Sequence, residues 1–207
     1  MLIIGAKGLA KEVLEIFHQQ NELANLFLYD DISTDVPDLL YGQFKVLRNM
    51  EQVAELFATD NRFTIGIGNP QLRYQMYIQF EQAGGKLVSA ISPLAVISHY
   101  GTHIAPGAII MAGTLISNDV SLGIGCLVNP NCTISHDAQI GNFVEISPGV
   151  QITGHCKVGN FCSVGTNATI LPNTQLGNNV IVGAGAVVTK NVDDSLTVVG
   201  IPAKATN

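Results

Sequence analysis

The sequence lacks the features that mark several large classes of protein. Lys and Arg total only 10 of its 207 residues and the formal charge is −6, which disfavours a nucleic-acid partner because phosphate backbones attract basic surfaces. No apolar run approaches the roughly 18–20 residues that span a bilayer, so we expect no membrane insertion. The amino terminus, MLIIGAKG, has neither a charged region nor a small-residue cleavage site, which predicts a cytoplasmic protein.

The four cysteines also lack the C-x-x-C spacing that is typical of structural zinc sites. Charged residues make up 13% of the chain and apolar residues 47%. A chain of this length and composition can bury a substantial core. It fits one large domain or two small ones.

What the sequence does have is a six-residue repeat in its C-terminal half. An Ile, Leu or Val stands at every sixth position, fifteen times in succession without an insertion: Ile104, Ile110, Ile116, Leu122, Val128, Ile134, Ile140, Ile146, Ile152, Val158, Val164, Ile170, Leu176, Val182 and Val188. The residue four positions after each of these is small or β-branched, and all four cysteines fall there. We therefore interpret the cysteines as small buried residues.

Six residues correspond to one short strand and a corner, and three such units form a triangular coil whose strands stack ~4.8 Å apart. The repeat predicts an all-β, left-handed parallel β-helix over residues 91–207, with an imperfect first coil at 92–103. Glycine follows several of the aliphatic residues, where we expect positive φ or a close approach. Only six charged residues occur in 104–193. Such charge-poor faces predict self-association, and prisms of this kind commonly associate around a threefold axis.

Residues 1–90 show a different pattern, in which short apolar runs alternate with amphipathic helices. Strands are predicted at Leu2–Ile4, Leu26–Tyr29 and Phe63–Ile67, and helices after Gly8, around Met50–Phe57 and from Leu72 to Ala83. The alternation predicts a small Rossmann-like α/β domain with a parallel sheet. Ligands of such sheets bind at the carboxyl ends of the strands.

Those strand ends carry Gly5–Gly8, Asp30-Asp31 and Gly68-Asn69. Glycines that open a helix suit a diphosphate, because free backbone N–H groups and the helix dipole point to it. A G-x-x-G sequence also occurs in ordinary strand-to-helix turns, and the absence of G-x-G-x-x-G argues against a dinucleotide. These residues alone leave ligand binding open.

Five motifs together carry a family resemblance. They are Gly5-Ala6-Lys7-Gly8 with Glu12-Val13, Asp30-Asp31, Ile67-Gly68-Asn69 with Leu72-Arg73, the uninterrupted hexapeptides, and Val198-Val199-Gly200-Ile201-Pro202-Ala203-Lys204. In this combination, over nearly the whole length, the chain resembles the nucleotide-sugar acetyltransferases. These include UDP- and dTDP-4-amino-sugar N-acetyltransferases, with sialic acid O-acetyltransferases as relatives.

The resemblance implies acetyl-CoA-dependent N-acetylation of a UDP- or dTDP-linked 4-amino-4,6-dideoxy sugar by direct transfer, for surface glycan biosynthesis. It further implies a nucleotide-sugar-binding domain at 1–90, an acetyltransferase domain at 91–207, sites at the subunit interfaces of a homotrimer, and no metal. O-acetylation of sialic acid or a related sugar stays open. The nucleoside of the substrate also stays open and could be uridine, thymidine or guanosine. A non-catalytic β-helix subunit is a remoter alternative. The histidine spacing does not provide the three ligands of a β-helical zinc carbonic anhydrase.

The resemblance also implies roles for individual residues. His136 would be the general base, and Asp137 would raise its basicity. The implied substrate-binding residues are Gly5, Ala6, Lys7, Gly8, Leu9, Asp30, Asp31, Gly68 and Asn69. The implied acetyl-CoA-binding residues are Asn129, Glu145, Gly154, Gly165, Thr166, Gly183, Ala184 and Lys204. Two positions depart from the family, since Glu145 replaces a frequent histidine near the acetyl group and Leu9 replaces a frequent histidine or aromatic.

From the residues alone, five histidines compete for the role of base: His18, His99, His103, His136 and His155. His136 and His155 lie at hexad corners and should point outward. His155 follows Asp137 by one full coil of 18 residues, so a purely structural His–Asp pair is the alternative there. An imidazole beside a carboxylate suits direct acetyl transfer, which requires the amine to lose a proton. We expect one or more of Lys157, Lys190 and Lys204 to meet the coenzyme A phosphates.

Overall fold

The structure is a computed structural model that describes residues 1–206. The chain divides into two compact units, Met1–Ala90 and Ile91–Asn207. In the described part of the chain, no helix is both long and apolar enough to cross a membrane.

The N-terminal unit consists of a six-stranded sheet and three helices. Its elements are β1 (Leu2–Ile4), α1 (Gly8–Gln19), β2 (Phe27–Tyr29), β3 (Leu39–Leu40), β4 (Phe44–Leu47), α2 (Met50–Phe57), β5 (Arg62–Ile65), α3 (Pro70–Gln82) and β6 (Lys86–Leu87). The strand order is β3-β4-β2-β1-β5-β6, and every neighbouring pair is parallel except the β3–β4 hairpin. The predicted parallel α/β class is confirmed, whereas β3, β4 and β6 were not predicted.

Burial and capping explain why these elements form. β1 is central, pairs with β2 and β5, and is at most 1% exposed along its length. The core beside it includes Phe63 and Phe80, whose rings lie 5.8 Å apart. Asn49 caps the start of α2 and Asn69 caps the start of α3. Each asparagine side chain accepts a hydrogen bond from the backbone N–H three residues later, which satisfies a donor that the helix cannot.

The C-terminal unit is the predicted left-handed parallel β-helix, built mostly from two-residue strands. They are β7 (Ala90–Ile91), β8 (Val96–Ile97), β9 (His103–Ile104), β10 (Ile109–Ile110), β11 (Leu115–Ile116), β12 (Ser121–Leu122), β13 (Leu127–Val128), β14 (Thr133–Ile134), β15 (Gln139–Ile140), β16 (Glu145–Ile146), β17 (Gln151–Ile152), β18 (Lys157–Val158), β19 (Ser163–Val164), β20 (Thr169–Ile170), β21 (Gln175–Leu176), β22 (Ile181–Val182), β23 (Val187–Val188), β24 (Thr197–Val199) and β25 (Lys204–Ala205).

These strands form the three faces of a prism. The first face has the order β25-β24-β22-β19-β16-β13-β10-β7, the second β23-β20-β17-β14-β11-β8, and the third β21-β18-β15-β12-β9. We call the turn from the first to the second face the first corner, and the turn from the second to the third face the second corner. Paired residues in successive coils are 18 apart, as in Leu127 with Glu145.

The imperfect first coil has a simple cause. Val96 pairs with Leu115, 19 residues later, whereas His103 pairs with Ser121, 18 residues later. One extra residue therefore lies between β8 and β9. The irregularity stays within the coil that precedes the uninterrupted repeat.

The prism interior confirms the interpretation of the cysteines, which are all free and buried. Each thiol lies near a backbone carbonyl fifteen residues later, for example Cys126 Sγ at 3.0 Å from Gly141 O and Cys162 Sγ at 3.0 Å from Gly177 O. A thiol thus fills a small interior position and donates to a corner carbonyl. Burial raises the pKa of Cys132 and of Cys162 to about 11, so these thiols stay protonated.

The expectation for the corner glycines is half right. Positive φ recurs every six residues from Gly107 to Gly185, three positions after each aliphatic residue, not at the glycines that follow the aliphatic residue directly. Those glycines serve close approach, since a Cβ added to Gly123 would lie 2.5 Å from Gly141 O. The positive-φ series includes Asp137 (φ 61°) and His155 (φ 59°).

Candidate active site

A cavity of about 440 Å³ opens within the N-terminal unit at the carboxyl ends of β1, β2 and β5. The chain leaves β1 for β2 on one side and later reaches β5 on the other, and this is the kind of switch point where α/β sheets bind ligands. Eight of the nine predicted substrate-binding residues line the cavity: Gly5, Ala6, Lys7, Gly8, Leu9, Asp30, Asp31 and Gly68. Asn69 does not, because its side chain caps α3.

Two glycines let the backbone close tightly beneath this cavity. Gly5 has φ +101°, and a Cβ on it would lie 2.9 Å from Gly66 O. A Cβ on Gly66 would lie 2.5 Å from the Cα of Ala10, so β1, β5 and α1 meet at backbone contact distance. Gly66 was not singled out from the sequence, although it precedes the Ile67-Gly68 motif directly.

The start of α1 forms one wall of the cavity and offers positive charge. Lys7 occupies the N-cap position without a side-chain capping bond, and the first turn of the helix has no acidic residue. The backbone N–H groups there lack partners from the helix itself. Lys7 Nζ lies 2.7 Å from Asp35 Oδ1, and the hydrogen bond from Lys7 lowers the pKa of Asp35. This pairing was not foreseen.

The two aspartates after β2 have different surroundings. Asp30 Oδ1 accepts hydrogen bonds from the backbone N–H groups of Ser33 (2.8 Å) and Ile32 (3.2 Å), which folds the loop. Asp31 instead accepts a hydrogen bond from the Tyr29 hydroxyl, and burial together with this bond raises the pKa of Tyr29 to about 12. Asp30 therefore shapes the cavity wall, while Asp31 presents a carboxylate to it.

Arg73 organises the loop after β5. Its side chain is 1% exposed and donates to Gly68 O at 2.6 Å and Ile67 O at 3.0 Å. The buried guanidinium thereby supplies hydrogen bonds to two carbonyls of this loop. This gives the Leu72-Arg73 part of the motif a structural role.

His136 and Asp137 form a close pair at the second corner of the prism. His136 Nδ1 lies 2.8 Å from Asp137 Oδ2, and the side chains are 60% and 44% exposed. His155, one coil later, places its Nδ1 3.7 Å from the same Oδ2. The two imidazole rings meet edge to face, with centroids 5.1 Å apart and planes at 86°. The outward direction predicted for both histidines is confirmed.

Gly154 lies directly against the His136 ring. A Cβ on Gly154 would be 2.7 Å from His136 Cε1 and 2.8 Å from Nε2, so only glycine accommodates the ring in this position. The Gly154 carbonyl accepts from Asn173 N at 3.1 Å, whereas its own N–H donates to no group within residues 1–206. A free backbone donor thus lies beside the imidazole.

A second group of predicted residues surrounds the first corner. Asn129, 9% exposed, donates from Nδ2 to Glu145 Oε1 (3.1 Å) and to Ile146 O (2.9 Å). Ser147, which was not predicted, donates to the same Glu145 oxygen at 2.9 Å. Glu145 therefore holds the Asn129 amide in one orientation.

Further along the first corner, glycines and other small residues leave the backbone without large side chains. A Cβ on Gly165 would lie 2.6 Å from Ala184 N, and a Cβ on Gly183 would lie 2.7 Å from Val199 Cγ1. The carbonyl of Thr166 accepts from Gly185 N at 2.8 Å. Successive coils thus present small residues in a column along the prism axis.

Most of the predicted acetyl-CoA residues consequently fall in two places on one chain. Gly154 shares the second corner with His136, whereas Asn129, Gly165, Thr166, Gly183 and Ala184 lie on the first corner. The second face of the prism separates the two groups. Lys204 lies elsewhere again, in β25 opposite Val199.

An exposed imidazole–carboxylate pair on a prism of hexapeptide coils, preceded by a small parallel α/β unit, defines an acyltransferase of the hexapeptide class. The family model of the PglD N-terminal domain matches residues 1–80, and that of the bacterial transferase hexapeptide (six repeats) matches residues 155–190. No curated protein gives a significant match.

Solved structures match over the whole length. The acetyltransferase domain of PglB from Neisseria gonorrhoeae, in complex with acetyl coenzyme A, is 30% identical with a TM-score of 0.91, over 99% of this chain and 98% of that chain. A mutant of perosamine N-acetyltransferase from Caulobacter crescentus, in complex with CoA and GDP-perosamine, is 28% identical with a TM-score of 0.90, over 100% and 96%. WeeI from Acinetobacter baumannii is 26% identical with a TM-score of 0.80, over 99% and 98%. The chain belongs to the hexapeptide family of nucleotide-sugar acetyltransferases, as its motifs predict.

Proposed function

We propose that this acetyltransferase moves the acetyl group of acetyl-CoA to the amine of a nucleotide-linked 4-amino-4,6-dideoxy sugar, for surface glycan biosynthesis. The observation that carries the proposal is the His136–Asp137 pair, 2.8 Å apart, in a chain that matches nucleotide-sugar N-acetyltransferases from end to end. UDP and dTDP are the proposed nucleotides. GDP joins them in the test because the Caulobacter relative holds GDP-perosamine.

The cavity of the N-terminal unit is the proposed nucleotide site. The uncapped start of α1 and the Lys7 ammonium suit a diphosphate, which is stabilised by free N–H groups and by the helix dipole. Asp31, held by Tyr29, offers a carboxylate that can accept hydrogen bonds from a base or a ribose. Because Lys7 is paired with Asp35, binding of a diphosphate would exchange one anionic partner of this lysine for another.

His136 is the proposed general base. With Nδ1 directed at Asp137, the basic lone pair of the neutral ring is on Nε2, and the carboxylate stabilises the imidazolium that forms. Nε2 takes a proton from the amine as the amine nitrogen attacks the thioester carbonyl. The tetrahedral intermediate then collapses, the C–S bond breaks, and the coenzyme A thiolate takes the proton from the imidazolium. This direct transfer needs no covalent enzyme intermediate.

The free N–H of Gly154 is the proposed donor to the oxyanion. A preorganised donor of this kind is typically worth about 2.7–4 kcal/mol in the transition state. Gly154 thereby has two roles, since the absence of a side chain also makes room for the His136 ring.

The complete site is proposed to form between subunits of a homotrimer. The second corner carries the base. The first corner carries Asn129 and the column of small residues, which suits an extended pantetheine chain. In one chain these two corners lie on opposite edges of the second face. In a trimer, the first corner of one subunit can lie against the second corner of its neighbour. A threefold axis repeats this arrangement, so that the trimer has three sites. Glu145 contributes by fixing Asn129, whose two Nδ2 hydrogens are used within the chain, so that Oδ1 is the atom offered to a ligand.

Release of free coenzyme A with a panel of amino sugars linked to UDP, dTDP and GDP tests the function. We expect turnover with one nucleotide class and a product acetylated on nitrogen, identified by mass spectrometry and NMR. Sialic acid and a 4-hydroxy analogue of the preferred sugar are the controls. Turnover with these hydroxyl acceptors and none with any amine would contradict N-acetylation.

A further inference from the structure

We propose that His136, Asp137 and His155 form a binding site for a zinc ion, and that the bound ion inhibits acetyl transfer. Among residues 1–206 these three side chains form one group of His, Cys, Asp or Glu residues whose ligand atoms all lie within 4.8 Å of one another. Binding of the ion depends only on this geometry. The inhibition rests on the proposed role of His136 as the base.

The separations of the donor atoms suit a tetrahedral ion. Zinc binds imidazole nitrogen and carboxylate oxygen at about 2.0–2.1 Å, so that two ligand atoms of a tetrahedral site lie roughly 3.3 Å apart. Asp137 Oδ2 lies 2.8 Å from His136 Nδ1 and 3.7 Å from His155 Nδ1. The two observed distances bracket the required one, so small rotations of exposed side chains complete the site.

The backbone holds the three residues in place before any ion arrives. Asp137 and His155 both occupy positive-φ positions of successive coils, so their side chains leave the corner in the same direction. His155 N donates to His136 O at 3.0 Å, which fixes the spacing of the coils at this point. The edge-to-face arrangement of the rings leaves both Nδ1 atoms near the shared carboxylate oxygen.

The donor set selects the kind of ion. Two imidazoles and one carboxylate suit zinc and related first-row ions, whereas magnesium prefers an all-oxygen shell and keeps its water. The three side chains are 60%, 44% and 56% exposed, so an ion can enter from solvent and keep water in its fourth position. The four thiols of the chain are buried and do not compete for it.

The inhibition follows from the chemistry of the ring. An ion on Nδ1 of a neutral imidazole leaves the proton on Nε2, which then has no lone pair to accept a proton from the amine. The ion also takes Asp137 Oδ2 away from the histidine. A bound zinc therefore blocks the proposed base without entering the nucleotide cavity.

The test compares the wild-type enzyme with His155→Asn and, as a matched control, His99→Asn. Asparagine tolerates positive φ, and Asn173 already occupies the same column one coil later with φ 61°. Zinc binding is measured by competition with a chromophoric chelator and by the absorption spectrum of cobalt in its place. Turnover is measured with zinc, with magnesium, and after addition of a chelator.

We expect the wild type and His99→Asn to bind one zinc per chain and to lose turnover reversibly, while magnesium has no effect. His155→Asn should keep its turnover, bind zinc at least about tenfold more weakly and resist inhibition accordingly, because one ligand is gone. Zinc binding and inhibition that are unchanged in His155→Asn would overturn the site. Zinc binding that depends on His155 but leaves wild-type turnover intact would overturn the inhibitory role, and with it His136 as the base, without touching the site itself.

Discussion

The imidazole of His136 rests on Gly154, with 2.7 Å between its Cε1 and the position that a Cβ on Gly154 would occupy. The two residues are 18 apart and belong to successive coils, so the stacking of the β-helix creates the contact. Gly154 is not among the residues with positive φ, so an alanine there meets no backbone strain. The three atoms nearest to its methyl group would all belong to the ring.

Gly154→Ala should therefore displace the base and leave the fold intact. We expect kcat to fall at least about tenfold, and by no more than the roughly 10²–10⁴-fold that a general base contributes, with an unchanged melting temperature. The double variant with His136→Ala is the control, since residues that act as a unit are not additive. A further loss in the double variant, as large as in the single one, would show that Gly154 acts independently of the ring.

Substitutions of the two aspartates of the N-terminal cavity should have different effects on substrate binding and on stability. Asp31→Ala should raise the KM for the nucleotide sugar about tenfold or more, as expected for loss of a charged hydrogen bond, with little change in the KM for acetyl-CoA or in melting temperature. Asp30→Ala should also lower the melting temperature, because Asp30 holds the backbone of Ile32 and Ser33. Equal effects of Asp31→Ala on both substrates would mean that its carboxylate is structural.

The buried thiols predict a dependence of stability on high pH. Burial raises the pKa of Cys132 from 9.0 to about 11, so the folded chain binds the thiol proton more tightly than the unfolded chain does. The free energy of unfolding is then at its full value below pH 9 and falls as the pH rises towards 11. Denaturant titrations of wild type and Cys132→Val at several pH values measure this, and a variant with the same high-pH decline as the wild type would contradict it.

The shared site predicts complementation between two inactive chains. His136→Ala removes the base from the second corner, and Ala184→Trp blocks the first corner at an exposed position. Co-expressed chains should form mixed trimers in which some sites combine two intact corners, so that activity returns. Mixed trimers that stay inactive would mean that each chain holds a complete site, and an active monomer in sedimentation would contradict the assembly itself.

The sequence predicts the β-helix well because each hexad repeats one environment. Ile110 and its equivalents through Val188 are buried, as the unbroken six-residue spacing requires. The two-residue strands β3 and β6 escape such reasoning because they are too short to show a period. β4 buries Phe44, Val46 and Leu47, but its place beside β2 depends on pairing across the sheet, which local pattern does not contain.

The sequence likewise predicts some features of the candidate site and not others. The 18-residue coil predicts that His155 stacks on Asp137, and the structure confirms it. Gly154 and His136 are stacked by the same 18-residue spacing. The sequence does not show, however, that the His136 ring turns towards Gly154. The bonds of Ser147 to Glu145, Lys7 to Asp35 and Tyr29 to Asp31 depend on side-chain orientation, which residue order alone does not determine.

The most direct test of His136 as the general base is the turnover of His136→Ala beside that of Asp137→Asn and His155→Asn. We predict that His136→Ala lowers kcat by about 10²–10⁴ while folding and trimer formation survive, because the side chain is 60% exposed. Asp137→Asn should lower kcat less, and His155→Asn should remain near wild type. Near-normal turnover in His136→Ala together with an inactive His155→Asn would rule out His136 as the base and assign the proton transfer to His155.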